Sequence, residues 1–252
     1  MRFFIVLNGR KAKNILLIML AAFFAALVAF VQNEQIAVFS TSQGPRALSK
    51  VVTNKKQIAL TFDVGWGDVR FEPIMDYLTK QKIKATFFVT GEWADRHHEW
   101  IEDLKKQGYE IGSHGMQHES YTKMDEKDIR KDMLLANRSL DKAGIDHLRY
   151  IRPPDGQIND RVLKIATKMN QQVILWSVDP QDWTNPGYEK IAKDVVDHAQ
   201  KGDIIRLHAS DSAKQTIRAL PIIVRELQDQ GYTFVTLSTL ISNAKVKTNL
   251  IH

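Results

Sequence analysis

From about residue 57 onward, short strand-like runs alternate with longer amphipathic stretches. The runs Ile58–Phe62, Ala85–Val89, Glu110–Ser113, Tyr150–Arg152, Val173–Val178, Ile204–His208 and Phe234–Thr236 have the length and the β-branched or aromatic content of strands. The stretches between them predict helices over about 69–81, 92–107, 125–142, 159–169, 187–200 and 214–230. The third of these helices opens on an acidic first turn (Asp125, Glu126, Asp128) and stops at Gly144, as capping chemistry requires. Strands that alternate with helices in this way build parallel βα units. Seven strands and six helices predict an α/β protein, a distorted (β/α) barrel of about seven parallel strands. No internal repeat interrupts the pattern.

The N-terminus follows different rules. Ile15–Val31, ILLIMLAAFFAALVAFV, carries no charge. As a helix rising 1.5 Å per residue it would be roughly 25 Å long, close to the thickness of a bilayer's hydrocarbon core. Arg2, Arg10, Lys11 and Lys13 precede it, and no basic residue follows directly. The positive-inside rule then predicts residues 1–14 as a basic cytoplasmic tail and 15–31 as a transmembrane signal-anchor helix, with the rest outside the cytoplasm. A cleaved signal peptide, releasing a secreted domain, is the competing expectation, but the run offers no clean A-x-A site. Residues 32–55 are polar and read as a linker to a domain over 56–245.

Composition narrows the chemistry. The 252 residues include no cysteine, so disulfides and thiolate metal sites are excluded. The net charge of +6 is mostly local: the 35 basic residues less the four in the tail leave 31, against 29 acidic ones. A nucleic-acid surface is not indicated.

The predicted strand ends carry the candidate chemistry. The first, in IALTFDVGWGD, delivers Asp63 before a glycine-bearing loop. The third delivers Ser113-His114-Gly115-Met116-Gln117-His118 and the fourth Arg152-Pro153-Pro154-Asp155-Gly156. The fifth delivers Asp179-Pro180-Gln181-Asp182-Trp183 and the sixth Leu207-His208, with Arg206 just before. In a parallel barrel these ends share one face, where such folds build their active sites. His114 and His118 are spaced to meet one divalent metal from a single turn, but no Glu follows His114, so this is not the HExxH arrangement. Asp63 is a candidate base, and Arg152 a cation that could hold it ionised. Asp182 could orient His208 and raise its pKa.

Taken in order, TFD-x-G, SH-x-x-x-H, RPP-x-G, D-x-x-DW and a His-ended apolar strand resemble the polysaccharide deacetylases, carbohydrate esterase family 4 with the NodB homology domain. The similarity runs from about Gln57 to Leu240. The anchor and the sequence TFDVGWGD look most like its sporulation-type PdaB subfamily. The resemblance implies a distorted barrel, and hydrolysis of N-acetyl groups from chitin-like or peptidoglycan sugars by metal-assisted acid–base chemistry. Through it, Asp63 corresponds to the base, Arg152 to the residue that orients it, His208 to the acid and Asp182 to the partner of the acid. His114 and His118 correspond to two of three ligands of a divalent metal, most often zinc. Trp183 corresponds to a wall of the acetate pocket, and Asp155, Arg206 and Leu207 lie at substrate-binding positions. The implied partners are an N-acetylated glycan such as peptidoglycan and, through residues 15–31, a membrane.

The chain departs from this pattern at three positions. Val64 stands where the family's TFDDG places its third metal ligand, with Asp68 as a candidate substitute in the same loop. Arg206 replaces an apolar residue and needs a partner such as Asp63, Asp182 or a substrate carboxylate. Asp155 replaces an aromatic residue. A catalytically silent glycan-binding protein therefore stays open beside the deacetylase, as does a glycoside hydrolase using Asp63 and Asp182 as an acid–base pair.

Overall fold

The computed structural model describes residues 13–14, 17–24, 40–41 and 44–248. The chain divides into two compact units, 1–44 and 45–252. In the first, 17–24 is helical and exposes Leu17, Ile18, Met19, Leu20, Phe23 and Phe24. The remainder of the expected membrane segment 15–31 lies outside the described residues. Among those described, no helix is long and apolar enough to cross a membrane.

The second unit contains the βα pattern: β1 (Gln57–Val64), α1 (Phe71–Lys80), β2 (Thr86–Val89), α2 (Gly91–Arg96), α3 (His98–Lys106), β3 (Glu110–Ser113), α4 (Glu126–Lys142), β4 (Tyr150–Ile151), α5 (Asp160–Lys168), β5 (Gln172–Val173), α6 (Tyr188–His198), β6 (Ile204–His208), α7 (Thr216–Asp229), β7 (Thr233–Phe234) and α8 (Leu237–Thr248). The seven strands form one parallel sheet in the order β5-β4-β3-β2-β1-β6, with β7 on the first residues of β1. The predicted fold class holds. The segment after β5 leaves Ile151 at Ile174 and bridges β6 at Val178, curling the sheet toward closure.

Alternation along β1 sorts its side chains onto two faces. Ile58, Leu60, Phe62 and Val64 pack with α1, α2, α3 and α7 in the larger core. Phe62 stacks on Phe87 at 5.3 Å between ring centroids. Fully burying one such side chain contributes about 1.5–3 kcal/mol. Ala59, Thr61 and Asp63 face the other way. That inner face holds Ala59, Phe88, Tyr150, Ile174 and Ile204, with Leu237 and Leu240 of α8 in the same cluster.

Four features differ from the sequence reading. The predicted strand 173–178 shortens to two ladder residues, because Trp176 turns inward beneath two arginines. The helix over 92–107 breaks at His97, whose ring stacks between Trp93 and Trp100 while its Nδ1 meets the Trp93 carbonyl. Helix α8 was not anticipated. Part of the expected linker also belongs to the barrel: the Leu48 N–H donates to Val173, the Val51 N–H donates to Gly202, and Lys50 pairs with Asp203 at 2.8 Å.

Candidate active site

The C-terminal ends of β1, β3, β4 and β6 bring the sequence-predicted residues together. Asp63 pairs in register with His208 across β1 and β6, so the two side chains rise beside each other at the barrel mouth. Each has its own support. Arg152, fully buried, donates from Nη1 to Asp63 Oδ1 at 2.6 Å and from Nη2 to the Leu175 carbonyl at 3.1 Å. Its guanidinium lies 4.1 Å over the Phe88 ring. On the other side, Asp182 Oδ1 meets His208 Nδ1 at 2.7 Å, and Asp182 Oδ2 accepts from the His208 N–H at 2.8 Å and the Thr216 hydroxyl at 2.5 Å. Both oxygens of Asp182 are thus committed behind the imidazole, and the residue is fully buried. That removes the glycoside hydrolase reading, which needs Asp182 facing substrate.

The charge states follow from these contacts. Burial alone would raise the Asp63 pKa, but Arg152, aided by His114, His208 and Arg206, holds the carboxyl well below the usual carboxylate range. For His208, burial disfavours the charged ring, yet the bond to Asp182 and the charges of Asp182 and Asp63 prevail and its pKa is raised. His114 goes the other way: burial pushes it down to about 4 against the pull of Asp63. It is neutral near pH 7, so its 4.0 Å approach to Asp63 Oδ2 is not an ion pair there.

His114 Nδ1 lies 2.7 Å from the Arg152 carbonyl, and a neutral ring making that bond leaves Nε2 as a bare acceptor. His118 follows in a left-handed backbone conformation (φ 57°) with its ring centroid 4.8 Å from that of His114. These two imidazoles suit a divalent metal. The third position does not, since Val64 is fully buried in the core between sheet and helices. Asp68 is exposed, and among the described residues no group of three His, Asp or Glu could hold a metal ion. Catalytic zinc sites have three protein ligands. The residues present therefore do not fit the full site.

The substrate-binding positions fare differently from one another. Trp183 is 48% exposed at the rim. Asp155 is exposed in the turn Pro154–Gly156 at φ 56°, with Gly156 packed against Trp176. Leu207 faces away from the mouth, fully buried in the helix-side core. Arg206 points inward, one pleat below His208. Its partner is neither Asp63 nor Asp182: Nη2 donates to Asp179 Oδ2 at 2.7 Å, and the guanidinium lies 3.6 Å over the Trp176 ring. Charge pairing and a cation–π contact together make a buried guanidinium tolerable. Sequence reasoning gave no role to Asp179, Trp176 or Thr216. Asp179 was visible in D-x-x-DW, whereas Thr216 joins the site only through the tertiary fold.

Known proteins resemble this chain in sequence and in fold. The polysaccharide deacetylase family model matches residues 50–174. A peptidoglycan-N-acetylglucosamine deacetylase of Bacillus cereus is 39% identical over 195 residues, 76% of this chain and 91% of that protein. Among solved structures, a carbohydrate esterase family 4 pseudoenzyme from Bacillus anthracis aligns at a TM-score of 0.74 and 28% identity, over 79% of this chain and 70% of that one. A mutant of that pseudoenzyme with restored enzymatic activity aligns at 0.74 and 29%, over 79% and 72%. The similar proteins thus include both an enzyme and a pseudoenzyme. Members of the family are generally metal-dependent.

Proposed function

Because the chain belongs to the polysaccharide deacetylase family, we propose that it removes N-acetyl groups from peptidoglycan amino sugars. One observation carries this reading: Asp63 and His208 stand side by side in register, each with its support intact. Asp63, kept ionised and aimed by Arg152, accepts a proton from the attacking water as the C–O bond forms. A backbone N–H near Asp155 donates to the carbonyl oxygen as it gains charge. His208, protonated and held by Asp182, gives its proton to the sugar nitrogen as the C–N bond breaks. Products are acetate and a free amine.

The work would take place outside the cytoplasmic membrane, with residues 15–31 as anchor, supported by the uncharged run and the basic tail before it. A role in sporulation rests on the likeness of TFDVGWGD to the sporulation-type subfamily.

A second reading, glycan binding without turnover, is favoured by Val64. The arginine that aims Asp63 also makes it a weak base, and the incomplete ligand set offers little help in acidifying the water. Acetate release from purified peptidoglycan by the full-length chain separates the two. The deacetylase reading expects release that Asp63→Asn lowers by about a hundredfold or more. Binding to peptidoglycan with no acetate above background selects the second.

A further inference from the structure

The loop that follows Asp63 is held at five of its backbone groups. The Gly65 N–H donates to Ser210 Oγ at 2.8 Å, and the Gly65 carbonyl accepts from Thr90 at 3.2 Å. The Trp66 carbonyl accepts from the Asp211 N–H at 3.3 Å. Trp93 Nε1 donates to the Gly67 carbonyl at 2.7 Å, and the Arg70 N–H donates to Asp211 Oδ1 at 2.9 Å. Gly67 sits at φ 75°, where an added Cβ would lie 2.3 Å from the Asp211 carboxyl carbon. Yet this tightly held loop turns two large apolar side chains to water: Trp66 is 57% exposed and Val69 63%.

A single exposed indole is ordinary on a protein surface. Trp66 differs in where it stands. Gly65, its neighbour, lies against both His118 and Ser210. Asp211 binds the Trp66 carbonyl, and its neighbour Ser212 accepts from Asn185 Nδ2 at 2.8 Å; the same Asn185 amide donates to the Trp183 carbonyl at 3.2 Å. The loop after His208 therefore ties Trp66 on one flank to Trp183 on the other. Two exposed indoles frame the mouth, each within three residues of a site carboxylate, Asp63 or Asp182.

We propose that Trp66 is a sugar-stacking subsite beside the barrel mouth, gripping a ring of the glycan strand next to the one presented to Asp63 and His208. The inference rests on the glycan reading above. An indole face offers a flat apolar platform to the C–H face of a pyranose, and a pre-ordered loop spares the entropy of fixing it. The occupant is a neutral N-acetylated sugar ring.

The test is binding of a GlcNAc tetramer and of GlcNAc monomer to the full-length chain in detergent, by calorimetry, for the parent, Trp66→Ala and Trp66→Phe. Trp66→Ala is expected to weaken tetramer binding by about tenfold. Monomer binding stays unchanged, and Trp66→Phe recovers most of the loss. Trp66 is exposed on a loop held by backbone bonds, so circular dichroism should show all three folded alike. Equal tetramer affinity in the parent and Trp66→Ala overturns the subsite and leaves the glycan reading standing. If the parent binds neither sugar, the glycan reading itself fails and the subsite with it.

Discussion

Asp182 acts on substrate only through His208. Its carboxylate is buried, its oxygens are committed to His208 and Thr216, and its charge helps hold the imidazole pKa above the ordinary value of 6.5. Asp182→Asn keeps the shape and removes the charge. The His208 pKa, followed by NMR titration of its ring protons, is expected to fall below that of the parent protein. Acetate release near neutral pH should drop by about a hundredfold with it, since the donor is no longer protonated. The sign for stability follows from the raised folded pKa. The pair's contribution is complete below the unfolded value and is lost as pH rises through the folded one. An unchanged His208 titration in the variant would mean that Asp182 is only a backbone anchor. Much at this scale was legible, because Asp63, His114, Arg152 and His208 each stand at a strand end, and Asp182 follows the segment that bridges β6 at Val178. Asp179 as the partner of Arg206 and Thr216 as the second partner of Asp182 were not, since each reaches its partner from another element and spacing says nothing of such pairings.

Among the elements, α8 shows what periodicity misses. The strands announced themselves because each is an apolar run stopped by a turn. Helix α8 has little amphipathic periodicity, and among its described side chains Leu237 and Leu240 are the fully buried ones. Its job is tertiary. It covers the inner face where Ala59, Phe88, Tyr150 and Ile204 would otherwise meet water. Its first turn is anchored by Thr86 Oγ1, which accepts from the Leu237 N–H, and by Glu110, which accepts from the Ser238 N–H. Leu240→Ala should cost about 2–5 kcal/mol in urea unfolding, as for other buried leucines. A loss under ~1 kcal/mol would show that the barrel end closes without the helix. The overextended strand at 173–178 has the converse cause. VILWSV reads as a strand, but closing the barrel takes the chain from β4 to β6 within those residues, and Trp176 must turn in to support both arginines.

The molecule as a whole records its site in the pH dependence of its stability. The folded protein holds His114 neutral down to about 4, whereas the unfolded chain protonates it near 6.5. Between those values the unfolded state binds the extra proton, so stability falls as pH is lowered from 6.5 to 4. A shift of that size corresponds to roughly 3 kcal/mol for a fully buried ring. Asp63 has the same sense in a lower window. Its folded pKa is depressed, so its contribution is present above the ordinary value of 3.8 and lost as pH falls through the folded one. His208 acts oppositely on the alkaline side. Urea unfolding at a series of pH values is therefore expected to show a maximum close to neutrality. The acid limb should begin well above the carboxylate range. His114→Gln removes the titrating ring while keeping a polar side chain beside the Arg152 carbonyl, and it should flatten the limb between 6.5 and 4. An unchanged slope in that variant would show that His114 is solvated and titrates normally, which would also undo its assignment as a buried, neutral acceptor.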